Sequence, residues 1–263
     1  MGRVSRMSIR VGVVGAGGKM GTAVCAAVAA DSALELVAAV DPYASGQERS
    51  GITIADSLSS LADAGAEVVV DFTVAAASRE TLPWLASQGM HAVVGTTGFS
   101  DADLSSFRSA FTRSNCLIAA NFAIGAVLMM RFAELAAPFF ETAEIIELHH
   151  DAKADAPSGT AVTTANRMAA ARTEPWADDP TKHEVYPGAR GGEGPTGIRV
   201  HAVRMRGMIA SQEVILGTTG QTLTVRHDTF DRASFMPGVV VACKRIGEWG
   251  ERFTLGLEPL LGL

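Results

Sequence analysis

Cysteine is scarce in this chain, and the few present are not arranged for chemistry. Cys25, Cys116 and Cys243 are the only three in 263 residues, far apart and without a Cys-x-x-Cys pair. Their neighbours are apolar, so small buried thiols in a reducing cytoplasm are expected. An excess of positive charge is also lacking: the formal net charge is -6 and the basic residues are scattered. That argues against a nucleic-acid or membrane-surface partner. No apolar run reaches the length of a membrane span. The opening Met1-Gly2-Arg3-Val4-Ser5-Arg6-Met7 has neither the apolar region nor the cleavage site of a signal peptide. Met1 and Met7 are both candidate start codons. Internal repeats and low-complexity tracts are missing too, and the expected location is cytoplasmic.

What the chain does have is length and apolar content. With 263 residues, 48% of them hydrophobic and 19% charged, it suffices for one large or two small domains. Apolar runs at Ile9 to Val14, Leu34 to Val40, Glu67 to Thr73, Ala92 to Val94 and Cys116 to Ala119 alternate with helical stretches. One helix closes at Gly89, another is opened by Ser100. This rhythm predicts a parallel sheet covered on both faces. After Asn121 it changes. A helix over about Ile124 to Phe140 leads to a strand, Ala143 to His149, a polar loop, and a helix from Ser158 to about Arg172. Thr173 to Gly197 reads as a long loop. Strands at Ile198 to Met205, Gln212 to Gly217 and Thr222 to His227 then suggest an antiparallel sheet in a second, α+β domain. Pro237 sits in the first turn of a last helix, about Phe235 to Glu248, where proline is tolerated.

The first strand ends in Gly15-Ala16-Gly17-Gly18-Lys19-Met20-Gly21. Read as G-x-G-x-x-G the third glycine is missing; read as G-x-x-G-x-x-G, Gly15, Gly18 and Gly21 fit. Either spacing brings backbone N–H groups and a helix N-terminus against a pyrophosphate. Glycine-rich turns also arise for purely structural reasons, but this one lies between strand and helix. Asp41 ends the next strand, where an acid takes the ribose hydroxyls rather than merely opening a turn with Pro42. Gly95-Thr96-Thr97 and Ala119-Ala120-Asn121-Phe122 follow later strands in positions that extend such a site, although by composition alone both could be ordinary turns. Asp41 repels a 2′-phosphate, so NADH is expected to serve at least as well as NADPH. Lys19 or Arg49 near the phosphate would allow dual use.

A second stretch carries more: Glu147-Leu148-His149-His150-Asp151-Ala152-Lys153-Ala154-Asp155-Ala156-Pro157-Ser158-Gly159-Thr160-Ala161. Two histidines and a lysine beside a helix opening suit a small substrate with carboxylates. The plainer alternatives are solvated strand-end histidines and a Ser158 that only caps. Adjacent histidines are poor mutual ligands and no third ligand has a recognisable spacing, so no metal is expected.

This stretch closely resembles the signature of dihydrodipicolinate reductases, in wording most like their actinobacterial branch. The glycine cluster, Val94-Gly95-Thr96-Thr97-Gly98, Asn121-Phe122-Ala123-Ile124-Gly125, Gly188-Ala189-Arg190-Gly191, and Arg226-His227-Asp228 near Phe235-Met236-Pro237-Gly238 extend the likeness from about Ser8 onward. Ala120 departs from it, since relatives often carry proline there.

The resemblance implies a Rossmann-type doubly wound parallel sheet, residues 1–120 plus 231–263, with an inserted α+β substrate and oligomerisation domain, residues 121–230. It implies a homotetramer built through the inserted sheets, and hinge closure between domains. By the same carry-over His149 is the proton donor and acceptor and Lys153 a proton donor. His150, Gly159 and Thr160 bind a small cyclic dicarboxylate. Gly15, Ala16, Gly17, Gly18, Lys19, Met20, Asp41, Gly95, Thr96, Thr97, Ala119, Ala120, Asn121 and Phe122 hold NADH or NADPH. Two rivals are a different two-domain nicotinamide dehydrogenase, for amino acids or sugars, and a regulatory protein that senses NAD(H). The first has no need of the histidine-lysine stretch; the second would show lost proton donors or an added DNA-binding element.

Overall fold

The computed structural model describes residues 8–263; the reading of Met1 to Met7 lies outside them. Strand β1 (Ile9–Val14) buries Val11, Val13 and Val14. Such near-continuous burial belongs to a strand covered on both faces. Helix α1 (Lys19–Ala30) follows the glycine loop and buries Gly21, Val24, Cys25 and Val28, a helical spacing. Next come β2 (Leu34–Val40), the small hairpin β3 (Glu48–Arg49) and β4 (Ile52–Thr53), α2 (Ser59–Asp63) and β5 (Val68–Asp71). Then α3 (Ala75–Gln88), β6 (His91–Val94), α4 (Asp101–Ala110) and β7 (Cys116–Ile118) complete the alternation. Gly89 ends α3 in the left-handed region, as its place in the sequence predicts, and Ser100 opens α4 in a capping box with Asp103.

Beyond the alternation, α5 (Ile124–Ala136) tightens into a 3₁₀ turn at Ala137–Phe139 and hands over to β8 (Thr142–His149). Helix α6 (Gly159–Ala170), β9 (Gly192–Glu193), β10 (Arg199–Arg204), β11 (Ala210–Thr218) and β12 (Gln221–Thr229) follow. Their sheet runs β12-β11-β8-β10-β9 and is mixed, not antiparallel throughout: β10 pairs parallel with β8, the other pairings are antiparallel. The segment carrying α6 and the long loop is the crossover that a parallel pair requires. Strand β8 alternates cleanly, burying Ala143, Ile145 and Glu147. The first two join a core with Ala161, Ala165, Met168, Val214 and Leu216; the third is an ionisable group where the pattern calls for an apolar one. At the sheet edge β12 keeps the expected alternation only weakly, with Leu223 exposed and Val225 and His227 half-buried.

The chain then returns through α7 (Met236–Arg245), β13 (Phe253–Leu255) and α8 (Glu258–Leu261). Strand β13 joins a six-stranded sheet of order β13-β7-β6-β5-β1-β2, all of whose pairings are parallel. The chain divides into two compact units, one of the residues up to Ala123 together with Phe235–Leu263, the other Ile124–Ser234. All three cysteines are free and buried. Among the described residues no helix is long and apolar enough to cross a membrane.

Candidate active site

In the first unit, four loops leave the carboxyl ends of parallel strands, the edge at which open α/β sheets bind ligands. Gly15 turns the chain with φ +81°, and a Cβ on Gly21 would lie 2.0 Å from the Gly15 carbonyl oxygen, so loop and helix are packed as tightly as glycine allows. Gly18 is the N-cap of α1 in extended conformation and offers no side-chain cap, which leaves the first-turn N–H groups for an anion. Ala16 is buried, Met20 half-buried and Lys19 exposed at this mouth. Asp41 reaches back to the loop: its Oδ2 accepts from Gly17 N at 3.0 Å and its Oδ1 from Tyr43 N at 3.0 Å. Arg49 Nε donates to Thr22 Oγ1 at 3.3 Å, which sets a cation over the first turns of α1.

The loops after β6 and β7 rest on a buried carboxylate. Asp71, fully buried, accepts from Thr73 N (2.9 Å), Thr73 Oγ1 (2.6 Å), Ser78 Oγ (2.9 Å) and Thr96 Oγ1 (3.1 Å). Burial pushes its pKa up, against the lowering effect of those donors. Thr96 is thereby buried and fixed, while Thr97 is exposed. Gly95 packs on the Phe72 ring, and Phe72 meets Phe122 with ring centroids 5.7 Å apart. Ala119 is buried and Ala120 exposed, and the Asn121 side chain accepts from Ala123 N at 2.8 Å. The structure thus brings Gly15 to Met20, Asp41, Gly95 to Thr97 and Ala119 to Phe122 to one edge of one sheet.

In the second unit the site starts at the end of β8. Glu147 has no exposed side-chain surface, yet its carboxylate is fully occupied. Arg204 donates to both oxygens, Nη1 to Oε2 at 2.9 Å and Nη2 to Oε1 at 2.8 Å. Ser158 N donates to Oε1 at 3.1 Å, and His149 Nδ1 lies 2.5 Å from Oε2. Those donors hold the Glu147 pKa below its ordinary value despite burial. Burial lowers the pKa of His149, and the neighbouring Lys153 and Arg204 charges add to that; Glu147 opposes it. Lys153 Nζ is held by Asp155, at 2.7 Å and 2.8 Å from its two oxygens.

Ser158 does cap α6, its Oγ accepting from Ala161 N at 3.2 Å. Beside it Gly159 is exposed, with no atom within 4 Å of where a Cβ would stand, and Thr160 is half-buried. His150 is exposed, its carbonyl closing the turn to Lys153 N at 3.2 Å. The structure therefore gathers His149, Lys153, Gly159 and Thr160 around one turn and one helix start. Two cationic or proton-donating groups beside the positive end of a helix suit a small anion with more than one carboxylate.

Sequence reasoning passed over two members of this group. Glu147 was within the quoted stretch without a role, and Arg204 lay outside it. The signal for Glu147 was a carboxylate two positions from His149, at a place where β8 alternation demands an apolar residue. Arg204 carried no signal, since its partnership depends on β10 pairing parallel with β8, Arg204 opposite His149.

Two family models divide the chain along similar lines. Dihydrodipicolinate reductase, N-terminus, matches residues 9–122, and dihydrodipicolinate reductase, C-terminus, matches residues 125–261. The chain belongs to the dihydrodipicolinate reductase family. It is similar to the 4-hydroxy-tetrahydrodipicolinate reductase of Nocardia farcinica, 51% identical over 98% of this chain and 100% of that one. It is also similar to that of Thermobifida fusca, 51% identical over 97% and 100%. A solved dihydrodipicolinate reductase from Paenisporosarcina sp. TG-14, with dipicolinate bound, superposes with a TM-score of 0.87 at 37% identity, covering 96% of this chain and 99% of its own. A D-galactose-1-dehydrogenase from Rhizobium etli, 12% identical with a TM-score of 0.63 over 96% of this chain and 91% of its own, shares the fold alone. As a dihydrodipicolinate reductase the chain is an oxidoreductase that uses a nicotinamide nucleotide.

Proposed function

We infer that the chain reduces 4-hydroxy-tetrahydrodipicolinate, by way of dihydrodipicolinate, to tetrahydrodipicolinate in lysine and diaminopimelate biosynthesis. The observation that carries this is the grouping of His149 and Lys153 with the Ser158-capped start of α6, in a chain of this family. The glycine turn and the uncapped start of α1 fit a dinucleotide: a cradle without side chains for the pyrophosphate, with Asp41 at the ribose. When bound, the nicotinamide supplies the hydride. Gly159 and Thr160 grip one substrate carboxylate at the helix start, and His150 faces the other carboxylate or the ring nitrogen. His149 or Lys153 stabilises the charge that moves to the ring nitrogen and delivers a proton there.

Asp41 disfavours a 2′-phosphate and Pro42 supplies no cation to offset it, so NADH serves at least as well as NADPH; Arg49 and Lys19 make dual use the expectation. The working form is a cytoplasmic homotetramer joined through the second sheet. Supporting this, β8 directs Ile146 and Leu148 to the face opposite its core residues, with Val203 of β10 opposite Leu148 on the same face. Residues 1–120 with 231–263 form the nucleotide domain and 121–230 the substrate and tetramerisation domain, a reading supported by two compact units that divide at Ala123 and Ser234.

The deciding assay couples the protein to freshly generated synthase product and follows NADH and NADPH oxidation. Turnover with both, kcat/KM for NADH equal or higher, is expected. No oxidation of either cofactor would remove the catalytic reading, and a strong NADPH preference would remove the assignment of Asp41.

A further inference from the structure

A buried carboxylate that touches a proton-donating imidazole, a helix start and an arginine fork at once is more than a structural anchor. Glu147 is an acceptor only, because Arg204 holds it ionised from both oxygens. His149 Nδ1 facing such a group must carry the hydrogen. Nε2 is then the nitrogen available to a substrate, with a lone pair in the neutral ring and a proton to give in the charged one. The other Glu147 oxygen takes the N–H of Ser158, the residue that caps α6. One carboxylate therefore fixes both the imidazole and the helix start. Arg204 extends the clamp, its Nη2 also donating to the Asp155 carbonyl at 2.5 Å, in the turn that carries Lys153.

We propose that Glu147, clamped by Arg204, is the positioning residue of this site: it sets the tautomer of His149 and locks the imidazole in register with the N-terminus of α6. The proposal rests on the reading of His149 as a proton donor only where turnover is concerned. The tautomer and the register belong to the free protein.

The alternative, a purely structural ion pair, makes a different prediction for the imidazole. The groups facing His149 are Glu147 from β8, Arg204 from β10 and Lys153 from the following turn. Glu147 favours the imidazolium; Arg204 and Lys153 oppose it. Removing the Glu147 charge must lower the His149 pKa, and removing the Arg204 charge must raise it. General loss of packing would move both variants the same way.

The test is a pH titration of histidine-selectively ¹⁵N-labelled full-length protein without ligands, His149 being assigned by its loss in His149→Gln. In the wild type the neutral His149 ring is expected to be protonated on Nδ1. Glu147→Gln should mix the tautomers and shift the titration to lower pH; Arg204→Met should shift it to higher pH. In turnover, Glu147→Gln should lower kcat at least about 10²-fold, since a misplaced tautomer disables a catalytic imidazole, with KM for NADH unchanged. The basic limb of its kcat profile should follow the titration downward.

A wild-type ring protonated on Nε2, or two variants that titrate together, would overturn the proposal. The wild-type measurement decides even if a variant fails to fold. If His149→Gln keeps a near-normal kcat while the opposed shifts appear, the positioning stands and the proton-donor reading falls.

Discussion

Two buried carboxylates, one in each unit, solve the same problem in opposite ways. Asp71 lies beneath the cofactor-side loops and is satisfied by four uncharged donors; burial prevails and its pKa rises. Glu147 lies beneath the substrate-side turn and is satisfied by a guanidinium fork, an imidazole and a backbone N–H; the cations prevail and its pKa falls. A carboxyl surrounded only by uncharged donors holds the loop backbone in place, which is what a cofactor loop requires. A charged cluster also sets the proton affinity of its neighbours, which is what an acid catalyst requires. The difference matches the proposed division, with proton chemistry in the second unit and nucleotide binding in the first.

Breaking the charged cluster should have the larger cost. Glu147→Gln leaves Arg204 without its partner, and the loss from breaking such a buried pair is about 3–5 kcal/mol. Asp71→Asn breaks no ion pair but turns one acceptor oxygen into a donor facing other donors, and should cost about 1–3 kcal/mol. Urea unfolding at neutral pH compares them. Equal losses would erase the distinction.

The same contrast has a sign in pH. Glu147 is depressed in the folded state, so its contribution is present above its ordinary value of 4.5 and is lost as pH falls through the folded value. Asp71 is raised, so its contribution is full below its ordinary value of 3.8 and is lost as pH rises through the folded value. Unfolding free energies of the wild type minus each variant, measured across the acid range, should therefore slope in opposite directions. Parallel slopes would contradict the assigned environments.

Smaller effects sharpen the substrate side. Thr160→Ala should raise substrate KM and weaken pyridine-2,6-dicarboxylate, a flat competitive analogue, by about tenfold each, the size of one hydrogen bond to a charged group. Unchanged values for both would displace the carboxylate from the α6 N-terminus. Asp155→Asn frees Lys153 from an exposed partner, and exposed pairs are worth about 0–1 kcal/mol, so analogue affinity should change only a few-fold. A large change would show that Lys153 is governed by Asp155 rather than by the substrate.

Much of this was legible in the residues, for identifiable reasons. Glycine loops, the Gly89 cap and the Ser100 and Ser158 caps depend on short-range geometry, which local sequence encodes. The parallel sheet followed from alternating apolar runs. Strand β13 escaped because three residues, Phe253–Leu255, give no period, and they become a strand only by pairing with β7. The mixed character of the second sheet escaped for a related reason: pairing direction is set by the crossover, not by the strands. Arg204 went unnoticed for the same cause, whereas Glu147 was visible as a charge breaking the alternation of β8.

The central claim, that proton delivery belongs to the second unit and nucleotide binding to the first, is tested most directly by steady-state kinetics of His149→Gln, Lys153→Ala and the double variant, with a parallel NADH titration. General acid catalysis is worth about 10²–10⁴-fold, so each single variant should lose a comparable factor in kcat while NADH binds as before. The double variant should lose less than the product of the two if the groups act together. Near-normal kcat in both single variants would contradict the account and leave this turn as a binding element whose proton comes from water.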